Sequence, residues 1–175
     1  RWVVANAASL GADPARLAVG GDSAGGALSA TTAIEAAREG LPLAFQLLIY
    51  PGTDFTATEG SRRTLAEGFY LTQGFMDLAR DTYLPPGTPL DDPRASPLHA
   101  EVPAGLAPAY VVTAGFDPLR DEGEAYARKL ADAGVEVELK RFPDQIHGFL
   151  NIVGAGRTAP LAVAEVAETL RKALA

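Results

Sequence analysis

Two short stretches of this chain are almost continuously apolar: Phe45-Gln46-Leu47-Leu48-Ile49-Tyr50, stopped by Pro51-Gly52, and Ala109-Tyr110-Val111-Val112-Thr113-Ala114. Runs of that length and kind suit strands buried on both faces of a parallel sheet. Leu17-Ala18-Val19-Gly20 is a weaker run, and it predicts a strand over Arg16–Gly20. Val135–Phe142 alternates instead, with Val135, Val137 and Leu139 set against Glu136, Glu138 and Lys140. That period predicts a fourth strand with one wet face, close to a sheet edge.

Helical stretches separate these runs. One covers roughly residues 1–10 and ends at Gly11. Another runs from Ala24 to Glu39 without a proline and stops at Gly40, with Pro42 just beyond. Asp121–Ala133 carries Asp121 and Glu122 at its positive end and Gly134 as its stop. Pro160 opens a last helix in which Val163, Val166, Leu170 and Leu174 form an apolar stripe. Strands alternating with helices imply crossover connections and an α/β fold of about four parallel strands in sequential order. Residues 51–107 break the rhythm, being rich in Pro, Gly, Asp and Thr, with one helical patch near Thr72–Tyr83. They read as an excursion over the top of the sheet, so that residues 1–175 form part of one domain. Phe69, Tyr70, Leu71, Phe75 and Met76 within it either anchor a helix or line a pocket, and their periodicity favours the anchor.

Composition narrows the field. The 175 residues carry a net charge of −7, and no basic cluster exceeds Arg62-Arg63, which argues against nucleic acid or an anionic membrane as the main partner. There is no cysteine, so disulfides, thiolate metal sites and a cysteine nucleophile are all excluded, and a cytoplasmic setting is favoured while localisation stays open. With only His99 and His147, a histidine-rich metal site is excluded too. No run approaches the roughly 20 apolar residues that span a bilayer. The chain opens on Arg1, and Trp2-Val3-Val4-Ala5-Asn6 reads as the middle of an uncapped helix. The expectation is a piece of a longer protein with a bare apolar strand edge, completed by more of that protein, by a second chain or by another copy.

Gly21-Asp22-Ser23-Ala24-Gly25 lies between the Arg16–Gly20 run and the following helix. Strand, G-x-S-x-G and helix together are the context of a nucleophile elbow, in which a strained turn lifts the serine hydroxyl above the sheet. Gly21 and Gly25 fit a place where strand and helix approach too closely for side chains. Asp22 fits a supporting role in the turn. A plain strand-to-helix turn with Ser23 as N-cap is the bland alternative. A trypsin-like order is excluded, because no histidine precedes Ser23.

A serine nucleophile needs a base, and the base needs an orienting acceptor. His147, in Asp144-Gln145-Ile146-His147-Gly148-Phe149, follows the last strand at the same sheet edge that presents Ser23. His99 lies inside the excursion and reads as an exposed loop histidine. Asp117 directly follows the buried strand ending near Ala114 and is the preferred acceptor. Asp54 is its best rival; Asp121 reads as a helix cap, and Asp144 is too close to His147 in sequence. Ser23…Asp117…His147 is the α/β-hydrolase order.

Taken together, Gly20-Gly21-Asp22-Ser23-Ala24-Gly25-Gly26, Asp92-Pro93-Arg94-Ala95-Ser96-Pro97-Leu98, Asp117-Pro118-Leu119-Arg120-Asp121-Glu122-Gly123 and His147-Gly148-Phe149 resemble the hormone-sensitive-lipase family of α/β-hydrolases. The resemblance covers nearly the whole chain and corresponds to the C-terminal part of such a domain. It implies an α/β-hydrolase fold without its N-terminal cap and first strands. It also implies a carboxylesterase that acts on small acyl esters without a cofactor or a metal. Ser23 would be the nucleophile, His147 the general acid and base, Asp117 its partner, and Ala24 N–H an oxyanion donor. The family's His-Gly-Gly-Gly oxyanion loop has no counterpart here, so this piece alone is expected to be weak or inactive. Gibberellin receptors share the fold but lack the histidine, which leaves a non-catalytic binding module as the alternative from another class. An amidase or deacetylase is the alternative among enzymes.

Overall fold

A computed structural model describes residues 1–175. Four strands form one parallel sheet in the order β1 (Ala18–Asp22), β2 (Phe45–Ile49), β3 (Ala109–Phe116) and β4 (Val137–Ile146). The helices are α1 (Trp2–Asn6), α2 (Ala24–Arg38), α3 (Ser61–Thr64), α4 (Gln73–Tyr83), α5 (Arg120–Asp132) and α6 (Thr158–Ala173). The sequential strand order and the parallel pairing match the sequence reading.

The two inner strands are buried on both faces, and alternate residues feed two separate cores. On one face Leu48 and Val111 pack with Ala33 and Ile34 of α2 and with Tyr126 and Leu130 of α5. On the other, Leu47, Tyr110 and Val112 meet Phe149 and the α6 residues Ala162 and Val166. Leu48 and Val111 have no exposed surface, and truncating such a leucine to alanine costs about 2–5 kcal/mol. The sheet is therefore a rigid plate, and whatever stands at its C-terminal edge inherits that rigidity.

Several boundaries differ from the sequence reading. The expected helix over 1–10 tightens into a 3₁₀ turn at Ala7–Leu10, and Gly11 ends it at φ +67°. The first strand lies two residues later than Arg16–Gly20, because Pro14–Arg16 form a 3₁₀ turn whose Ala15 N–H is capped by Asp13. Strand β4 does not stop at Phe142. It runs on to Ile146 through an irregularity opposite Gly115, where any side chain would collide with the Pro143 backbone. As an edge strand its apolar face is only half covered, and Leu139 is 40% exposed. The last helix opens at Thr158 rather than at Pro160, and its buried seam is Ala159, Ala162 and Val166. Val163 faces solvent. Val166 and Leu170 of the expected stripe pack on the core, and Ala159 and Ala162 take the place expected of Val163. Residues 51–107 hold α3 as well as the expected patch, which begins one residue late because Thr72 caps α4 by accepting from Phe75 N–H.

Candidate active site

Ser23 stands in the one-residue step between β1 and α2, at φ +54° and ψ −117°. That is a costly conformation for a residue with a side chain. It is held by Ser23 N–H donating to Ile49 O at 2.8 Å and by Ala27 N–H donating back to Ser23 O at 3.1 Å. The Ser23 hydroxyl makes no capping bond to α2, which is what the plain-turn alternative would require. The close approach at this step rests on Gly21, where a Cβ would lie 2.6 Å from the Gly25 backbone. The same steric argument does not hold for Gly25, whose Cβ position is open; Gly26 is the second tight glycine, a Cβ there falling 2.9 Å from Pro51. The exposed Asp22 carboxylate accepts from Asn151 Nδ2 at 3.0 Å, across to the segment after β4.

His147 directly follows β4, and Gly148 at φ +75° turns the chain away immediately behind it. Asp117 directly follows β3 and is fully buried. Its Oδ1 accepts from Leu119 N–H at 2.8 Å, which fixes the carboxylate plane as the chain enters α5. Its Oδ2 lies 2.7 Å from His147 Nδ1. His147 Nε2 lies 2.9 Å from Ser23 Oγ. A carboxylate can only accept, so Nδ1 carries a proton and donates to Asp117, and Nε2 is left to accept from the Ser23 hydroxyl. The structure thus brings Ser23, His147 and Asp117 into one hydrogen-bonded chain at the C-terminal edge of the sheet. Ala24 N–H opens α2 beside Ser23, among the first helical N–H groups, which have no partner within their own helix.

Asp54 and His99 form a separate pair. Asp54 Oδ1 lies 2.9 Å from His99 Nε2 and also accepts from Thr56 N–H and Oγ. Burial raises the Asp54 carboxyl, but the bonds from Thr56 and His99 outweigh it and hold the group below its usual range. Asp121 accepts from Ser61 N–H at the start of α5, and Asp144 is exposed on β4. None of the three is recorded in a bond with His147.

A cavity of about 240 Å³ adjoins Ser23 and Ala24. Leu71, Phe75 and Met76 of the excursion line it, while Leu71 and Met76 also pack on Leu119. Both sequence readings of this apolar group hold at once: the residues that anchor α4 are also cavity wall. Phe69 lies elsewhere, stacked on Phe116, and Tyr70 is 71% exposed.

Sequence reasoning missed the cavity floor. Buried Glu122 accepts from Thr53 N–H, Asp54 N–H and Arg62, the last at 2.7 Å. Burial drives its carboxyl up to about 7, against the pull of Arg62 and the two backbone donors. Glu122 was read only as a charge at a helix start; a carboxylate whose neighbours in sequence face the core was the available signal. No group of three or more His, Cys, Asp or Glu is placed to hold a metal ion, and no helix is long and apolar enough to cross a membrane.

The sequence pattern of the α/β-hydrolase fold family matches residues 1–151. The chain is 47% identical over 169 residues to the carboxylic ester hydrolase LipN of Mycobacterium tuberculosis, covering 93% of this chain and 45% of that protein. It is 37% identical to an ethyl acetate hydrolase of Pseudomonas putida, covering 99% of this chain and 55% of that one. Among solved structures, a thermostable esterase from Pseudomonas putida superposes with a TM-score of 0.93 at 40% identity, over 99% of this chain and 56% of its own. The carboxylesterase EstE1, cloned from a metagenomic library, superposes at 0.94 with 38% identity, over 99% of this chain and 60% of its own. The chain spans about half the length of the curated relatives it matches.

Proposed function

The chain belongs to the α/β-hydrolase fold family, and from that premise we propose that the protein containing it is a serine carboxylesterase working through an acyl-enzyme. The observation that carries this reading is the unbroken chain Asp117 Oδ2, His147 Nδ1, His147 Nε2, Ser23 Oγ, with steps of 2.7 and 2.9 Å. Ser23 Oγ attacks the ester carbonyl as His147 Nε2 takes its proton. Asp117, buried and fixed by Leu119 N–H, stabilises the imidazolium. His147 returns the proton to the departing alcohol, and water, activated the same way, releases the acid. Each step moves only protons and one acyl group, so the scheme calls for no metal or cofactor. Gly21 and Gly26 support the reaction by allowing the close packing that strains Ser23.

Ala24 N–H is the oxyanion donor that this chain supplies. Losing one donor of a pair typically costs about a hundred- to a thousand-fold in turnover. No His-Gly-Gly-Gly sequence occurs among residues 1–175, so these residues alone should be weak or inactive. Strand β1 pairs only with β2, which leaves its other edge open, and Trp2 and Val3 are exposed; both support association with further polypeptide, whether more of the same protein, a second chain or another copy. The apolar cavity beside Ser23 suits small acyl esters. The names of the relatives support ester over amide substrates, and His147 in contact with Ser23 favours catalysis over a receptor-like role.

A fluorophosphonate probe applied to the complete protein tests the reading. Labelling confined to Ser23, with hydrolysis of short nitrophenyl esters, is expected. Absence of labelling removes the enzyme reading. Faster turnover of long acyl chains removes the small-ester assignment.

A further inference from the structure

Three residues with side chains hold a positive φ in this chain, and two of them are side by side. Ser23 and Tyr50, at φ +54° and +36°, follow the last paired residues of adjacent strands, Asp22 and Ile49. At Ser23 the strain aims the hydroxyl. Tyr50 is only 1% exposed, and the mechanism above gives it nothing to do. Strain of this kind persists only where the surroundings enforce it.

The surroundings of Tyr50 lead to His147. The two rings lie 4.9 Å apart between centroids, tilted by 58°. The Tyr50 hydroxyl donates to Asp22 Oδ2 at 3.4 Å. Asn151 Nδ2 donates to the same oxygen at 3.0 Å and approaches the Tyr50 hydroxyl at 3.4 Å. Asp22 immediately precedes Ser23, and Asn151 lies in the 3₁₀ turn just past His147. One carboxylate oxygen therefore joins the segment carrying the nucleophile to the segment carrying the base, and the tyrosine ring forms the wall on which the imidazole rests. Burial, then the Asp22 charge, drives the Tyr50 hydroxyl well above its usual range, so it remains a proton donor to that carboxylate.

We propose that Tyr50, Asp22 and Asn151 form a positioning unit that sets the separation of Ser23 Oγ and His147 Nε2. None of the three exchanges a proton with substrate; they act through His147. The inference rests on the triad reading. A clamp of this kind matters because proton transfer falls off within a fraction of an ångström, and a misplacement of about 1 Å can cost 10²-fold. The Asn151 side of the clamp is exposed, so its loss leaves both cores untouched.

The test uses the complete protein with Tyr50→Phe, Asn151→Ala and both changes together. For each, kcat and KM on a short nitrophenyl ester, the rate of fluorophosphonate labelling and the melting temperature are measured. Each single change should lower kcat and the labelling rate together by about 3- to 10-fold, the scale of one ordinary hydrogen bond lost. KM should stay within about twofold, as for an interaction made at the transition state. The double variant should fall short of the product of the two losses, because the residues share one carboxylate. Asn151→Gln should restore part of the rate. Unchanged kcat in an active wild-type background overturns the positioning unit alone, as does a loss that appears only in KM or only in the melting temperature. A wild-type protein that neither hydrolyses nor labels overturns the triad reading, and this inference with it.

Discussion

Both histidines of this chain are bonded to an aspartate, and the two contacts are nearly the same length: 2.7 Å for His147–Asp117 and 2.9 Å for His99–Asp54. Everything else about them differs. His147 and Asp117 each follow a strand, so the sheet fixes their separation. Asp117 divides its oxygens, one to a backbone N–H and one to the imidazole. The far nitrogen of that imidazole meets a serine. Asp54 and His99 belong to the irregular excursion, and a single Asp54 oxygen serves His99 and both Thr56 donors. Its histidine side chain is 37% exposed against 8% for His147. Charge interactions strengthen as water is excluded, so the buried inner pair is held more firmly than the outer pair, which ties one part of the excursion to another. A histidine beside an aspartate is thus weak evidence of chemistry; the third partner and the rigidity beneath it decide.

The comparison is broken most directly at its third partner. In the complete protein, Ser23→Ala or His147→Ala should lower kcat by about 10⁶-fold, whereas His99→Ala should leave kcat on short esters unchanged. Comparable losses at both histidines would show that the outer pair also reacts. Exchanging the aspartates is the next largest effect. Asp117→Asn should cost about 10⁴-fold in kcat with the fold intact, because the amide favours the wrong imidazole tautomer. The same change at Asp54 should not slow the chemistry, and a pre-steady-state burst assay on both variants separates them.

A smaller effect sharpens the role of the cavity floor, where Glu122 holds the Asp54 backbone. Its carboxyl is raised on folding to about 7, so the folded state binds that proton more tightly than the unfolded state. The resulting stabilisation is complete below the ordinary carboxyl range and is lost as pH rises towards 7. Glu122→Gln removes this slope. The melting-temperature advantage of wild type over the variant should be larger near about pH 5 than near about pH 8; an advantage that grows with pH would show that Arg62, not burial, dominates the site. The smallest effect is His99→Ala on stability. A half-exposed pair contributes up to about 1 kcal/mol, which in a chain of this size moves the melting temperature by about 2–4 °C. Calorimetry resolves a shift of that size.

What the sequence disclosed follows the same division. Phe45–Tyr50 and Ala109–Ala114 announced themselves because a strand buried on both faces leaves no polar positions. The elbow could be read because its glycines are steric requirements at one point in the chain. Asp117 and His147 could be placed because each immediately follows a strand. Tyr50 was hidden inside a run where every residue looked like core. Asn151 acts through a single polar contact to a segment far away in sequence, which no local pattern records. On α6, Val166 and Leu170 of the expected stripe do pack, but Val163 does not, and the seam is filled by Ala159 and Ala162, whose small side chains mark no stripe in the sequence. Gly25 was credited with a clash that belongs to Gly26, since the motif names positions and not the strand that presses on them.

The sequential order of the sheet also bears on how the protein folds. Each strand pairs with the next one along the chain, so the sheet can grow by adding neighbours, the β2–β3 pairing closing the longest loop, the excursion over residues 51–107. The Ser23–His147 contact spans 124 residues and depends on all four strands being in register. Ser23 and His147 therefore meet only once the last strand has docked. Until that moment a partly folded chain holds an ordinary serine, and under the proposed mechanism this geometry would confine reactivity to molecules that have finished folding.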